Sequence, residues 1–321
     1  MVKKKVYIWA DADEKIGYGH FIRCLALVDM LKDEFNCVYY TKTPTEYQKR
    51  EVKQICSLRE LPSGDIKYSI FLEELSGDEI VVLDNYFFTS EFQKAVKDKG
   101  SKLIIFGSND RHYYADILIN FTNLQKQSFS AESYTRICLG LQWALLRSEF
   151  YKKITTSRNS KGILVCIGGT DQFCYAEKIS NHIRSSHPEH PIMIIATDRI
   201  GEQRIAEFKN NGYELCLNLS ARQMAEAFRK NKIAILSASG VAIEALSQKC
   251  NVIAGYYVDN QINIYKALTE DNYIWPVGDF SDVDLLSSID NAIGQIYEGK
   301  TKKSFETANT IELYQQLFRD L

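Results

Sequence analysis

The chain has 321 residues, enough for two ordinary α/β domains. Its 45% hydrophobic and 25% charged residues give the composition of a cytoplasmic globular protein with a sizeable core, and a formal net charge of −2 argues against nucleic acid or an anionic membrane as partner. No apolar run approaches the ~18 residues of a membrane span or the core of a signal peptide.

In chain order, short apolar runs alternate with amphipathic stretches. The basic lead-in to Val6–Trp9 reads as a first strand, followed by strands at 37–41, 80–83, 102–106 and 116–119. Helical pattern lies between them at 21–31, 45–55 and 91–98. A second series follows, with strands at 162–167, 191–197, 213–217, 233–236 and 251–257, and helices at 174–185, 221–229, 241–248 and 262–269. Strict strand–helix alternation implies parallel sheets with right-handed crossovers. The polar stretch Thr155-Thr156-Ser157-Arg158-Asn159-Ser160-Lys161 reads as a linker, which places one domain at 1–154 and a second at 155–304. Residues 305–321 read as a terminal helix that crosses back to the first domain.

Eight cysteines form no C-x-x-C pair and sit mostly in apolar runs, so they read as reduced core thiols. His182, His187 and His190 straddle Pro188 without a cysteine or carboxylate pattern, which reads as a helix end and loop and not as a metal site.

Three turns carry chemistry. The first strand leads into Gly17-Tyr18-Gly19-His20, and a helix starts directly after it. That order exposes backbone N–H groups at the positive end of a helix, suited to an anion, and the paired glycines allow a ligand close to the backbone. The spacing departs from G-x-G-x-x-G, which disfavours a nicotinamide cofactor. The helix start also disfavours an imidazolium at His20 and leaves a neutral base at a strand's carboxyl edge, where open α/β sheets bind ligands. The second turn is Gly168-Gly169-Thr170-Asp171. The third is Ser237-Ala238-Ser239-Gly240, where hydroxyls and a helix start suit a diphosphate and Glu244 suits a ribose diol. Asp84-Asn85-Tyr86 and Asp259-Asn260-Gln261 add short polar groups at two further strand ends.

These segments together resemble the UDP-2,4-diacetamido-2,4,6-trideoxy-β-L-altropyranose hydrolases of pseudaminic acid biosynthesis. The likeness runs in order from Ala10-Asp11-Ala12 through Gly17-Tyr18-Gly19-His20, Arg23-Cys24-Leu25, Asp84-Asn85-Tyr86, Ala115–Asn120 and Ala144–Phe150. It continues through Gly168-Gly169-Thr170-Asp171, Ser237-Ala238-Ser239-Gly240, Glu244-Ala245-Leu246 and Asn260-Gln261. The resemblance implies a GT-B fold, related to the MurG-type glycosyltransferases, in which two Rossmann-like parallel-sheet domains face each other across a cleft. It also implies hydrolysis at the anomeric carbon with release of UDP, without metal or organic cofactor. On that basis His20, Asp11 and Tyr86 are expected to be catalytic, His20 by activating or positioning water. Gly17, Tyr18, Gly19, Arg23, Asn85, Gly168, Gly169, Thr170 and Ser237 are expected to bind substrate. Ser239 and Gly240 would hold the phosphates, Glu244 the ribose, and Asn260 and Gln261 the sugar-diphosphate.

The chain departs from the family where an arginine usually precedes Ala-Asp-Ala (here Trp9). It departs again where an acidic pair usually follows the strand at 102–106 (here Gly107 and Ser108), and where histidine is common (here Asn85). The leading expectation is therefore a cytoplasmic UDP-sugar hydrolase for an acetamido-deoxy sugar of surface-polysaccharide synthesis, for which a monomer would suffice. A GT-B glycosyltransferase is the alternative, and a catalytically silent nucleotide-sugar-binding protein is a third reading.

Overall fold

A computed structural model describes residues 3–13, 16–152, 161–168, 171–307 and 309–321. The chain forms two compact units, one from Met1–Ser148 with Ala308–Leu321 and the other from Glu149–Thr307. Among the described residues, the first unit has a seven-stranded parallel sheet. Its strands are β1 (Lys5–Trp9), β2 (Asn36–Lys42), β3 (Ser57–Leu61), β4 (Ile80–Leu83) and β5 (Lys102–Phe106), then β7 (Ile117–Asn120) and β9 (Arg136–Leu139). The two-residue strands β6 (His112–Tyr113) and β8 (Ser130–Ala131) pair separately. The sheet order is β3-β2-β1-β4-β5-β7-β9. Every residue of β4 is buried, as a strand covered on both faces requires. Its crossovers carry α1 (Gly19–Leu31), α2 (Glu46–Lys53), α3 (Ile66–Glu73) and α4 (Ser90–Asp98). Thr45 and Gln48 form a reciprocal capping box at the start of α2, which satisfies two otherwise orphaned donors. One core cluster is largely aromatic, with Trp9, Phe71, Phe88 and Phe92 packed together.

The second unit has six parallel strands among the described residues. They are β10 (Ile163–Cys166), β11 (Ile192–Ala196), β12 (Glu214–Leu217), β13 (Ile233–Ser237), β14 (Asn251–Tyr256) and β15 (Trp275–Asp279), in the order β12-β11-β10-β13-β14-β15. Its helices are α5 (Tyr175–Ser186), α6 (Glu202–Asn210), α7 (Ala221–Lys230), α8 (Gly240–Ser247), α9 (Ile262–Glu270) and α10 (Leu285–Tyr297). A final helix, α11 (Thr310–Arg319), packs on the first unit. There Tyr314 donates to the Trp143 carbonyl at 2.7 Å, and Arg319 pairs with Glu34. The linker residues expected at 155–160 lie outside the described residues.

The alternation of strands and helices matches the sequence expectation. The short pair β6 and β8 is unanticipated, and so are three strands of the two large sheets: β3, β9 and β15. All three are sheet edges, where one side faces outward and the apolar run that marks a buried strand is not needed. β15 also carries Pro276, which an edge tolerates because it cannot donate to a ladder.

Both sheets reverse direction at one point, between β1 and β4 in the first and between β10 and β13 in the second. Crossover helices on either side of such a point lie on opposite faces, which opens a crevice beyond the strands' carboxyl ends. Close packing keeps β14 in place beside that point. A Cβ on Gly255 would lie 2.3 Å from the Phe280 ring and 2.5 Å from the Gly278 carbonyl. Gly255→Ala should therefore destabilise the second unit by about 1–3 kcal/mol, seen as a lowered urea midpoint with an unchanged slope.

Candidate active site

In the first unit, Trp9 and Leu83 are register partners at the ends of β1 and β4. Residues 10–11 and 84–86 therefore leave the sheet side by side at its reversal. Asp84 has no solvent exposure, and a carboxylate so placed needs donors on every side. α1 supplies them from one face at i, i+3 and i+4. His20 Nδ1 lies 2.8 Å from Oδ1, Arg23 grips both oxygens, and Cys24 Sγ donates to Oδ2 at 3.4 Å. Burial by itself would push the Asp84 carboxyl up, but the Arg23 guanidinium and then His20 hold it well below the usual carboxylate range. Burial likewise works against the Arg23 charge, yet Asp84 keeps that guanidinium above its ordinary value. Burial pushes the Cys24 thiol well up, so it stays a donor.

A carboxylate only accepts, so the 2.8 Å contact is a hydrogen bond only when His20 carries its proton on Nδ1. Nε2 is then the basic nitrogen. This is a base oriented by a buried acid, the arrangement used wherever a histidine must take a proton from a reacting hydroxyl or water. Tyr86, 57% exposed, meets the His20 ring edge-on with centroids 4.7 Å apart.

The loop before α1 is held from within. Asp13 accepts from the amide of Ile16 through its carboxylate and from that of Gly17 through its carbonyl, both at 2.8 Å. Gly17 has φ +79°, a value that side chains rarely adopt, and nothing crowds Gly17 or Gly19. Among the described residues no side-chain hydrogen bond caps α1 at Tyr18, and a helix start is a place suited to an anion.

Three of the residues expected at the site in this half make their contacts within the unit. Asp11 is fully buried, and its carboxylate accepts from the Trp9 indole at 3.0 Å, the Lys42 amide at 2.8 Å, Thr41 at 3.4 Å and Lys67 at 3.3 Å. So enclosed, the Asp11 carboxylate is held by groups of its own unit. Asn85 uses both ends of its amide on the Asp11 main chain, at 2.6 and 3.2 Å, and clamps the two strand ends together. Arg23, expected to bind substrate, turns inward to Asp84. The family departures find their reasons here. Trp9 fills the aromatic core, and the cation that reaches Asp11 comes from Lys67 of α3. Gly107 is required because a Cβ there would lie 2.6 Å from the Tyr113 hydroxyl, which bonds Ser108.

In the second unit, β10 ends beside β13. Gly168 has φ +145°, and a Cβ there would come within 3.0 Å of the Tyr257 hydroxyl. Gly169 and Thr170 lie outside the described residues. Asp171 occupies the start of α5, where its carboxylate accepts from the amides of Tyr175 and Ala176 at 3.0 Å each and from Arg204 at 2.8 Å. The chain's own anion thus fills that helix start. The start of α8 has no such occupant: no side-chain hydrogen bond caps it at Ser239, Gly240 is exposed, and nothing lies within 4 Å of where its Cβ would be. Of the two turns, the Ser239–Gly240 end is the one open to a diphosphate. Glu244 stands one turn along α8 and is 7% exposed. Ser237 is buried within β13, and the Gln261 side chain accepts from the Tyr257 amide at 3.1 Å. Asn260 is exposed on the turn Asp259–Gln261.

The histidines at 182 and 187 also have a partner that their own segment does not reveal. Asp290 of α10 accepts from His182 Nε2 at 2.8 Å and from His187 Nε2 at 3.0 Å, a staple between α5 and α10.

No family model matches the chain. It is 29% identical over 285 residues to the UDP-2,4-diacetamido-2,4,6-trideoxy-beta-L-altropyranose hydrolase of Campylobacter jejuni, across 84% of this chain and 97% of that protein. It is 25% identical over 283 residues to the uncharacterized protein MJ1062 of Methanocaldococcus jannaschii, of which the match covers 57%. Among solved structures it superposes on Acinetobacter baumannii MurG with a TM-score of 0.61 and 11% identity, over 98% of this chain and 99% of that one. It superposes on a putative UDP-N-acetylglucosamine 2-epimerase from Listeria monocytogenes with a TM-score of 0.64 and 11% identity, over 100% and 98%. The fold is GT-B. The likeness to the altropyranose hydrolase, first visible in the motifs, extends along most of the chain.

Asp84 sets a pH dependence. Its folded value lies below that of a free carboxyl, so the stability its ionised form contributes is complete above about pH 4 and is lost as pH falls below it. Asp84→Asn should cost about 3 kcal/mol at pH 7 and at pH 5, and the gap to the parent should narrow below about pH 4 in urea unfolding.

Proposed function

We infer that the chain hydrolyses a UDP-linked sugar at its anomeric carbon, with His20 as the base. The observation that carries this reading is the buried Asp84–His20 pair at a sheet reversal, supported by the relative's printed activity. In the reaction, His20 Nε2 takes a proton from water, the water oxygen bonds to the anomeric carbon, and the bond from that carbon to the diphosphate oxygen breaks. UDP leaves with that electron pair. The N–H groups at the Ser239–Gly240 helix start would balance the charge that grows on the diphosphate, and Glu244 would accept from the ribose hydroxyls. Gly17, Tyr18 and Gly19 would receive the sugar portion, with Tyr86 beside the base.

Among the described residues, no helix is long and apolar enough to cross a membrane. We take the substrate to be an acetamido-deoxy sugar of surface-polysaccharide synthesis, by analogy with the relative.

The test is free UDP measured after incubation with a panel of UDP-sugars, with and without a hydroxyl acceptor. His20→Ala should abolish UDP release while UDP still binds by calorimetry. Asp84→Asn should slow turnover by about 100-fold or more through loss of the Nδ1–H tautomer, and Glu244→Ala should weaken UDP binding about tenfold. Normal turnover by His20→Ala would sink the reading. UDP release that requires the acceptor would make the chain a glycosyltransferase instead.

A further inference from the structure

Arg23 lies one turn along α1 from His20 and holds both Asp84 oxygens. Its Nη2 also stands 3.0 Å from His20 Nδ1; a guanidinium only donates, so this is a hydrogen bond if Nδ1 is bare and a close approach of two donors if Nδ1 carries the proton that Asp84 accepts. Asp84 is fully buried and His20 only 6% exposed, while the Arg23 side chain keeps 22% exposure, so little water reaches the Asp84–His20 pair itself. In such surroundings a carboxylate beside a histidine favours the imidazolium, because opposite charges within about 3 Å attract strongly. Here the counter-charge is already supplied. Carboxylate and guanidinium sum to zero with His20 uncharged, and a proton added at Nε2 would set a second cation against the first.

The other groups facing His20 leave this balance alone. The Cys24 thiol on α1 is held protonated by burial, and Tyr86, beyond β4, contributes its ring edge-on. The rings of Phe106 and Phe121, 5.4 and 5.5 Å from the guanidinium carbon, flank Arg23.

Resting on the hydrolase reading above, we propose that Arg23 is a positioning residue: it neutralises Asp84 and so keeps His20 an uncharged base with its lone pair on Nε2. It is not an arm for the substrate's phosphates.

The test uses the full chain with Arg23→Gln and Arg23→Lys. Nitrogen NMR of the histidine side chains, with His20→Gln assigning the signal, should find parental His20 uncharged and protonated on Nδ1 at pH 7. Arg23→Gln should show both nitrogens protonated at the same pH, and Arg23→Lys should keep the ring uncharged. UDP-release assays should show kcat of Arg23→Gln lowered at least about tenfold at pH 7 and largely recovered by about pH 9, with KM changed less than about threefold. A raised KM with unchanged kcat would identify a substrate arm and overturn the proposal. So would an uncharged His20 in Arg23→Gln at pH 7. Should the glutamine variant not fold, a doubly protonated ring in Arg23→Lys at pH 7 overturns it equally. If the parent releases no UDP from any UDP-sugar, the functional reading falls while the NMR result still decides the role of Arg23.

Discussion

A carboxylate with no access to water organises the first unit's site. Asp84 cannot stay ionised at the end of β4 unless donors surround it, and α1 brings those donors on one face. This requirement fixes the rotation of α1 about its axis and places His20 at the first turn of the helix. The Asp11–Asn85 clamp then ties β1 to the residue after Asp84, so the loop that leads to Gly17 starts from a fixed point. The orientation of the His20 ring thus depends on a carboxylate that solvent does not reach.

The second unit repeats the topology with a different use of its helix starts. At α5 the chain places its own Asp171 where an anion would bind, and Arg204 holds that carboxylate. At α8 only small residues, Ser239 and Gly240, stand at the same position. One helix start thereby holds the chain's own carboxylate, while at the other no side-chain cap is made among the described residues, although both follow a strand at the same reversal.

Much of this was legible in the sequence, for reasons that can be named. Buried strands such as Ile80–Leu83 and Ile233–Ser237 are continuous apolar runs, and the glycine or serine turns after them mark carboxyl ends, so the fold class and the neighbourhood of His20 could be read. Side-chain direction could not. Asp11 and Arg23 carry charges in motif positions, which suggests contact with substrate, yet both spend those charges inside the protein. The donor to Asp11 from Lys67 was beyond reach because α3, Ile-Lys-Tyr-Ser-Ile-Phe-Leu-Glu, has no clear apolar stripe. Asp290 stands more than 100 residues from His182 and His187, and local spacing holds no trace of such a pairing. Asp84 was the nearest miss. An acid directly after one all-apolar strand, with His, Arg and Cys at i, i+3 and i+4 on the helix that follows another, is a pattern that can be searched for.

The return of α11 to the first unit makes that unit discontinuous in sequence. On the ribosome its sheet can form early, but the surface of Phe35, Met30 and Trp143 that α11 covers stays bare until residues beyond 307 emerge. At the usual ~5–20 residues per second, the intervening second unit takes roughly 8–30 s to synthesise. For that interval the nascent first unit presents an uncovered apolar patch, the kind of surface that chaperones bind.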